Sequence, residues 1–230
     1  MPDLFVFDFD GTLAHRPGLW SQCLLDVLDQ HVPGHGATLQ DLRLHLRDGF
    51  PWHRAEVAHP ELSEPDNWWA ALGETIDRAY LAVGIDATAT ETLRPAVRAH
   101  YCDPTRFELY PDTLEALVKV RDVGARSVIL SNHVPELVDI VHYLGLGPLV
   151  DDVLSSARTG FEKPHPQAFK ASLGATSAGR ALMIGDNPVA DKHGAEAVGM
   201  RAALVRHKDA PFPDVINAVL DALSDRQRRC

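Results

Sequence analysis

Residues 4–13 read LFVFDFDGTL. The first four are apolar without interruption, which is typical of a strand that is buried on both faces, as in a parallel sheet. Asp8 and Asp10 follow with one residue between them, and residues two apart on extended backbone project to the same side. Gly11 then permits a sharp turn, and Thr12 brings a hydroxyl beside the carboxylates. Such a pair repels unless a cation or a shared proton relieves the repulsion, although a solvated strand end with helix-capping aspartates fits the spacing equally well.

Length and composition narrow the class of protein. A chain of 230 residues, 45 % hydrophobic and 23 % charged, is typical of one large α/β domain or of a core with a smaller insertion. Its formal net charge of -10 argues against a nucleic-acid partner, and no apolar run is long enough to span a bilayer. No basic leader precedes the first apolar stretch, and Cys23, Cys102 and Cys230 are far apart. We therefore expect a protein of the reducing cytoplasm without disulfides or a zinc site.

The order of helical and strand patterns predicts two domains. Residues 15–107 read as four helices broken by Gly and Pro, and beyond them helical patterns alternate with short apolar strands. This alternation predicts an α/β fold with a doubly wound parallel sheet that is covered on both faces. We expect a core domain of residues 1–14 and 108–230 and a smaller, all-helical domain of residues 15–107. Asp112, with Glu115 three residues on, is a capping signal for the first core helix. The later strands are predicted at 126–130, 150–155, 181–184 and 201–205.

Polar side chains follow these strands where each one ends. Asp8 and Asp10 follow the first strand, Ser131 the second and Asp186 the fourth, while Lys163 lies in the loop after the third. Ligands of open parallel sheets bind outside the carboxyl ends of the strands. A polar residue at one strand end means little, but a set at successive ends predicts a functional site.

The sequence resembles the haloacid dehalogenase-like (HAD) hydrolase superfamily, in the branch with a helical cap inserted after the first strand. The motif DxDGT of that family is DFDGT at residues 8–12, and its Ser or Thr after an apolar strand is Ser131 in VILSN. Its lysine before proline is Lys163 in GFEKPHP, and its GDxxxxD motif spans residues 185–191. The four motifs occur in order at both ends of the chain. The resemblance implies a Rossmann-like HAD core with the helical segment as its cap.

The resemblance also implies a reaction, that of a phosphatase acting on a small-molecule phosphomonoester. Asp8 attacks phosphorus to form an aspartyl-phosphate, and Asp10 acts first as general acid and then as general base. Several carboxylates around a phosphate of roughly -1.5 to -2 charge require a hard divalent cation, and Mg²⁺ is the usual one. The family pattern implies that Asp8, the backbone carbonyl of Asp10 and Asp186 hold this Mg²⁺.

Other residues of the motifs are expected to bind the phosphoryl group. By resemblance, Ser131 and the backbone amides of Gly11 and Asn132 bind its oxygens as charge shifts in the transition state. Lys163 adds a positive charge, and Asp191 orients Lys163 or a metal-bound water. Each has a plainer interpretation, because Ser131 fits a helix cap, Lys163 a surface lysine and Asp191 a charge at a helix start. Candidate specificity residues, for which solvated surface is the better interpretation, are His15, Arg16, His53 and Arg54.

Alternatives to a phosphatase remain open at this point. The dehalogenases that name the family lack the second aspartate, which is Asp10 here, and the phosphonate-cleaving relatives use a cap lysine, whereas residues 15–107 contain no lysine. A phosphotransferase or phosphomutase of the β-phosphoglucomutase type keeps both aspartates and therefore fits. A non-catalytic member acting as a binding protein is expected to have lost part of the motif set, which is intact here. The chain is expected to be a monomer or a homodimer.

Overall fold

The computed structural model describes residues 1–224, so Cys230 and the end of the predicted core domain lie outside the described residues. No helix in this range is both long and apolar enough to cross a membrane. The strands are β1 (Leu4–Phe7), β2 (Ala14–His15), β3 (Glu108–Leu109), β4 (Arg126–Ser131), β5 (Asp152–Ser155), β6 (Ala181–Gly185) and β7 (Arg201–Leu204). The α-helices are α1 (Leu19–His31), α2 (Leu39–His45), α3 (Pro65–Ala82), α4 (Ala87–Cys102), α5 (Thr113–Asp122), α6 (Leu137–Tyr143), α7 (Ser156–Thr159), α8 (Pro166–Leu173), α9 (Gly194–Ala197) and α10 (Val215–Ser224).

Five strands form a parallel sheet in the order β5-β4-β1-β6-β7, with β1 at its centre. Phe7 at the end of β1 lies opposite Ile129 of β4 on one side and Ile184 of β6 on the other. Because the chain moves outward from β1 in both directions, the sheet is doubly wound, and the predicted α/β fold class is confirmed. The four predicted later strands are present, with ends that differ by one or two residues.

Side chains alternate between the two faces of the sheet, and both faces are buried. Phe5 and Phe7 pack on one face, whereas Leu4 and Val6 pack on the other. The first face is covered by residues of α5 and α10, and the second by residues of α8 and α9. Burial on both faces explains why the first strand reads as an uninterrupted apolar run.

The helices α1 to α4 all lie between β2 and β3, within the segment predicted to be helical. They pack around a cluster of aromatic side chains, in which the rings of Trp20 and Tyr101 stack with centroids 3.6 Å apart. This cluster is continuous with the core through Phe107, whose ring lies 5.9 Å from that of Phe9. β2 and β3 pair antiparallel, so the segment leaves and rejoins the core at adjacent points. The division into two domains remains a prediction.

Polar contacts also join the helical segment to the core. The indole of Trp69 donates to both carboxylate oxygens of Glu136, at 3.1 Å each. Arg98 donates to the same carboxylate at 3.0 Å. The backbone amide of His59 donates to the carbonyl of Gly160 at 2.7 Å. These bonds hold the helices against the loops that follow β4 and β5.

Asp112 has a different role from the predicted one. It directly precedes α5, as expected, but its side chain makes no capping bond to that helix, so the predicted capping box is wrong. Its carboxylate instead accepts the backbone amides of Val215 and Ile216 at 2.7 and 3.2 Å, and thereby caps the distant helix α10. It also pairs with Arg206, whose guanidinium lies 3.9 Å from the ring centroid of Tyr110. This carboxylate therefore joins α5, α10 and the loop after β7.

Replacing Asp112 by Ala should lower the free energy of unfolding by about 2–4 kcal/mol, since it removes a helix cap and a charge-assisted bond to a half-buried arginine. The matched control is Asp122→Ala at the exposed end of the same helix, where a change within about 0.5 kcal/mol is expected. Urea denaturation of both variants measures the difference. Equal stabilities for the two variants would contradict this role of Asp112.

Candidate active site

The carboxyl edge of the sheet gathers residues that are far apart in sequence. Asp8 directly follows β1, Ser131 ends β4 and Asp186 directly follows β6. Since these three strands are neighbours and parallel, their ends meet at one edge. Lys163 reaches the same edge from the loop after β5. The structure thus brings together the strand-end residues that the sequence singled out.

Asp8 lies at the centre of a buried network of hydrogen bonds. Its Oδ1 accepts the hydroxyl of Ser131 at 2.8 Å and the ammonium of Lys163 at 2.7 Å. Within residues 1–224, its Oδ2 has only a longer contact of 3.4 Å from the hydroxyl of Thr12. The Lys163 ammonium also donates to Asp191 Oδ1 at 2.5 Å. Burial disfavours the charged lysine, but Asp191 and Asp8 outweigh it and raise the pKa of Lys163, so the ammonium stays charged.

The side chain of Asn132 holds the loop that carries Lys163. Its amide nitrogen donates to the Lys163 carbonyl at 2.9 Å, and its amide oxygen accepts the Lys163 backbone N–H at 2.7 Å. This reciprocal pair fixes the loop after β5 against the end of β4. The sequence suggested only the backbone amide of Asn132 as a ligand, so the structure adds a positioning contact made by its side chain.

Two glycines leave room for carboxylates at this edge. Gly11 has a φ of 80°, and a Cβ there would overlap the carboxylate of Asp186. A Cβ on Gly185 would likewise overlap the carboxylate of Asp191. A larger residue at either position would displace an acidic side chain, so packing requires glycine at both, and at Gly11 the positive φ requires it as well.

Asp8, Asp186 and Asp191 form an acidic cluster in which one oxygen from each lies within 4.8 Å of the others. Burial, Asp8 and Asp191 raise the pKa of Asp186 to about 7. Burial is also the main cause that raises the pKa of Asp191 to about 6, against the opposing effect of Lys163. Within residues 1–224, Asp186 forms no ion pair with a cationic side chain. The cluster therefore has more negative charge than the protein itself neutralises.

Asp10 lies beside this cluster and contacts a residue that the sequence did not point to. Burial, followed by the charges of Asp8 and Asp186, raises the pKa of Asp10 to about 7. Its Oδ2 lies 3.4 Å from Nε2 of His133, and its Oδ1 is buried without a hydrogen-bond partner in the described part of the chain. Burial lowers the pKa of His133 to about 4, so this imidazole is neutral near pH 7. The position of His133, directly after the Ser-Asn pair, was the one available signal in the sequence.

A cleft of about 710 Å³ extends from this edge to the helical segment. It is lined by the acidic residues and Lys163 on one side and by residues of α1, α2 and the following loop on the other. Arg16 lies in the wall, but its buried guanidinium donates to the carbonyls of His100 and Tyr101 at 3.1 and 3.0 Å. His53 also lines the cleft, whereas His15 and Arg54 do not. Arg16 therefore supports the wall through contacts within the protein.

The fold and site define an α/β protein whose parallel sheet carries an acidic, lysine-containing pocket at its carboxyl edge, next to a helical segment. The family model described as haloacid dehalogenase-like hydrolase matches residues 2–199. The chain belongs to this family.

Two named phosphatases and one crystal structure are similar to this chain. A phosphoserine phosphatase of Thermus thermophilus is 32 % identical over 160 residues, which cover 66 % of this chain and 61 % of the relative. The match thus spans less than two thirds of that relative's length. A phosphoglycolate phosphatase of Rhodospirillum rubrum is 30 % identical over 221 residues, covering 90 % of this chain and 80 % of the relative. The crystal structure of the HAD-hydrolase YfnB of Bacillus subtilis covers 99 % of both chains with a TM-score of 0.72 at 18 % identity, a likeness of fold.

Glu162, next to the site lysine, gives a pH-dependent prediction. Its side chain is 2 % exposed, its Oε2 has no partner within residues 1–224, and burial raises the pKa of its carboxyl to about 7. A raised native pKa stabilises the fold below the ordinary pKa of glutamate, and this stabilisation is lost as the pH rises through about 7. The stability of the natural protein relative to Glu162→Gln should therefore fall with pH across this window, by up to about 1.4 kcal/mol per pH unit.

Urea denaturation of both proteins from pH 4.5 to pH 8 tests this dependence. The comparison with Glu162→Gln cancels the titration of the other carboxylates. Glu56→Gln, at an exposed glutamate, is the control and should follow the natural protein throughout. A stability difference that is constant with pH would contradict the prediction.

Proposed function

We propose that the protein is a phosphatase that hydrolyses a small-molecule phosphomonoester through an aspartyl-phosphate on Asp8. The observation that carries the proposal is the hydrogen bonding of the Asp8 carboxylate. Its Oδ1 accepts bonds from Ser131 and Lys163, and the carboxylate lies beside an open cleft. Its Oδ2 keeps its lone pairs available for attack, because its contact with Thr12 is long. The phosphatase names of the relatives support the same reaction class.

The acidic cluster fits a divalent metal ion. Mg²⁺ prefers oxygen ligands, and the cluster offers carboxylates whose raised pKa values reflect a shortage of positive charge. Both oxygens of Asp191 already accept bonds, one from Lys163 and one from the backbone amide of Asn187. We therefore keep Asp191 as the residue that orients Lys163 and, following the family pattern, assign the metal to Asp8, Asp186 and the backbone carbonyl of Asp10. When bound, Mg²⁺ would neutralise part of this charge and allow a phosphate dianion to enter.

In the first step, Asp8 Oδ2 attacks phosphorus and the bond from phosphorus to the leaving oxygen breaks. Asp10 gives its proton to that oxygen, so the product leaves as an alcohol. A pKa of about 7 suits this exchange, since the carboxyl holds a proton and can also release it near neutral pH. Lys163, Ser131 and the backbone amide of Asn132 stabilise the charge on the phosphoryl oxygens. The backbone amide of Gly11, which was expected to share this role, instead donates to the carbonyl of Ala14 at 2.8 Å.

In the second step, water attacks the phosphorus of the aspartyl-phosphate. The now ionised Asp10 takes a proton from this water, and the bond between phosphorus and Asp8 breaks. Inorganic phosphate leaves, and both aspartates return to their initial states. One protonated carboxyl thus serves both steps without an external acid.

We further propose that residues 15–107 form a cap that sets which substrates enter, in a cytoplasmic protein. The supporting observation is that α1, α2 and the loop after α2 line the same cleft as Asp8. Because two parts of the chain line the cleft, the reaction would take place at the sheet edge, and the helical segment would recognise the rest of the substrate.

Phosphate release from 4-nitrophenyl phosphate tests the reaction. Asp8→Asn should lower the rate by at least roughly a thousandfold, because it removes the nucleophile while keeping the size of the side chain. EDTA should abolish turnover and excess Mg²⁺ should restore it. Asp122→Asn, at an exposed aspartate outside the cleft, is the matched control and should keep full activity.

Three outcomes would contradict this function. Full activity of Asp8→Asn would exclude its nucleophilic role, and turnover in EDTA would exclude the metal. Phosphoryl transfer to an added sugar phosphate in place of phosphate release would favour a phosphomutase. No turnover of any phosphate ester would favour a binding protein.

Metal binding can be measured without catalysis. At saturation of about 100 times the dissociation constant, Mg²⁺ should stabilise the natural protein by about 2.7 kcal/mol in thermal unfolding. Asp186→Asn should lose most of this gain. In EDTA the same variant should be more stable than the natural protein by about 1 kcal/mol, because it removes one of three crowded carboxylates. Asp122→Asn should respond to Mg²⁺ like the natural protein, and an Mg²⁺ response retained in Asp186→Asn would refute the assignment.

A further inference from the structure

The wall of the cleft opposite the acidic edge carries two arginines that the proposed reaction does not use. Arg43 lies in α2 and Arg47 lies just beyond its end, four residues further on. Both line the cleft that contains Asp8 and Lys163, and both are exposed. Arg47 lies on a bend after the helix, so the shared lining of the cleft, and not helical spacing, places the two residues on one wall.

These two arginines differ from most others in residues 15–107 because their side chains have no partner in the described part of the chain. Arg94, Arg98 and Arg106 form ion pairs, Arg78 donates to a backbone carbonyl, and Arg16 is held by the end of α4. Within residues 1–224, neither Arg43 nor Arg47 forms an ion pair or a side-chain hydrogen bond. The chain carries 32 acidic and 22 basic residues, so carboxylate partners are abundant elsewhere. Two unpaired arginines in one cleft wall are therefore available to a ligand.

We propose that Arg43 and Arg47 bind a second anionic group on the substrate, a carboxylate or a phosphate distant from the phosphoryl group that is removed. This inference rests on the proposed phosphatase function and narrows its substrate class. A guanidinium presents a planar fork of N–H donors that matches carboxylate or phosphate oxygens. The acidic edge holds the reacting phosphoryl group through the metal and Lys163, and the basic wall holds the other end, so the substrate has one orientation.

The lining of the cleft also includes aromatic residues. Trp20, Phe50 and Trp52 line the cleft, and the rings of Phe50 and Trp52 stack with centroids 4.6 Å apart. Trp52 is half-buried, so part of its ring faces the cleft. Aromatic faces favour apolar or planar groups. The substrate class is therefore a phosphomonoester with an apolar or planar middle and a second anionic group.

Matched pairs of aryl phosphates test this class. One pair is 4-carboxyphenyl phosphate and its carboxamide, and a longer pair is 4-(2-carboxyethyl)phenyl phosphate and its carboxamide. The members of each pair differ in the distal charge and hardly in shape. In at least one pair, the natural protein should have a kcat/KM about tenfold higher for the carboxylate than for the carboxamide. This factor corresponds to the lower range of the free energy of a hydrogen bond to a charged group, which we expect because the arginines are exposed. The preference should appear in KM, because the distal group does not change during the reaction.

The variants are Arg43→Gln, Arg47→Gln and both together, and the double variant should reduce the ratio of the two kcat/KM values to about one. Arg54→Gln is the matched control, since Arg54 also lies in the segment, is exposed and lies outside the cleft. It should keep the natural ratio. Thermal unfolding of each variant checks that a lost preference does not reflect a lost fold.

Two results would overturn the inference while leaving the phosphatase function intact. One is a natural ratio near one in both pairs. The other is a natural preference that survives in the double variant, which would place the recognition elsewhere. If the natural protein turns over neither these esters nor 4-nitrophenyl phosphate, the proposed function itself fails, and the two failures are thereby distinguished.

Discussion

The interaction on which the rest of the site depends is the buried ammonium of Lys163 between two carboxylates. Its contacts with Asp8 and Asp191 join the end of β1, the loop after β5 and the turn after β6. A cation removed from water in this way is stable only with close partners, so each of the three chain segments must end at one defined place. Two other residues meet this requirement. The side-chain amide of Asn132 fixes the loop that carries Lys163 through two hydrogen bonds, and Gly185, which has no Cβ, leaves room for Asp191.

The parts of the fold that could be predicted from the sequence are those with a local cause. The buried strands were visible because burial on both faces requires uninterrupted apolar runs, and the residues at the sheet edge were visible because they interrupt those runs. Asp112 was misinterpreted because its partners, Arg206 and the start of α10, lie about a hundred residues away. His133 was missed for a similar reason, since only the folded chain brings it against Asp10.

The charge of the arginines near the cleft did not indicate which of them are available to bind a ligand. Arg16 comes closest in sequence to the motif of residues 8–12, yet its guanidinium is used to hold the last turn of α4. Arg43 and Arg47 had no motif to mark them. Their common feature is the lack of a side-chain partner among the described residues, which only the folded chain reveals. The cleft consequently has the acidic residues and Lys163 on the wall formed by the sheet edge, and two arginines that are unpaired within residues 1–224 on the wall formed by the helical segment. An electrostatic gradient of this kind orients a ligand before contact.

The antiparallel pairing of β2 with β3 has a consequence for how such a protein can evolve. Ala14 lies opposite Leu109, so an excursion of more than ninety residues begins and ends at neighbouring backbone positions. Insertions whose ends meet in this way leave the register of the surrounding strands unchanged. The helices can therefore be lengthened, shortened or exchanged over generations while the chemical machinery stays constant. Under the roles proposed for the two parts, selectivity and reactivity become separately heritable properties of one polypeptide.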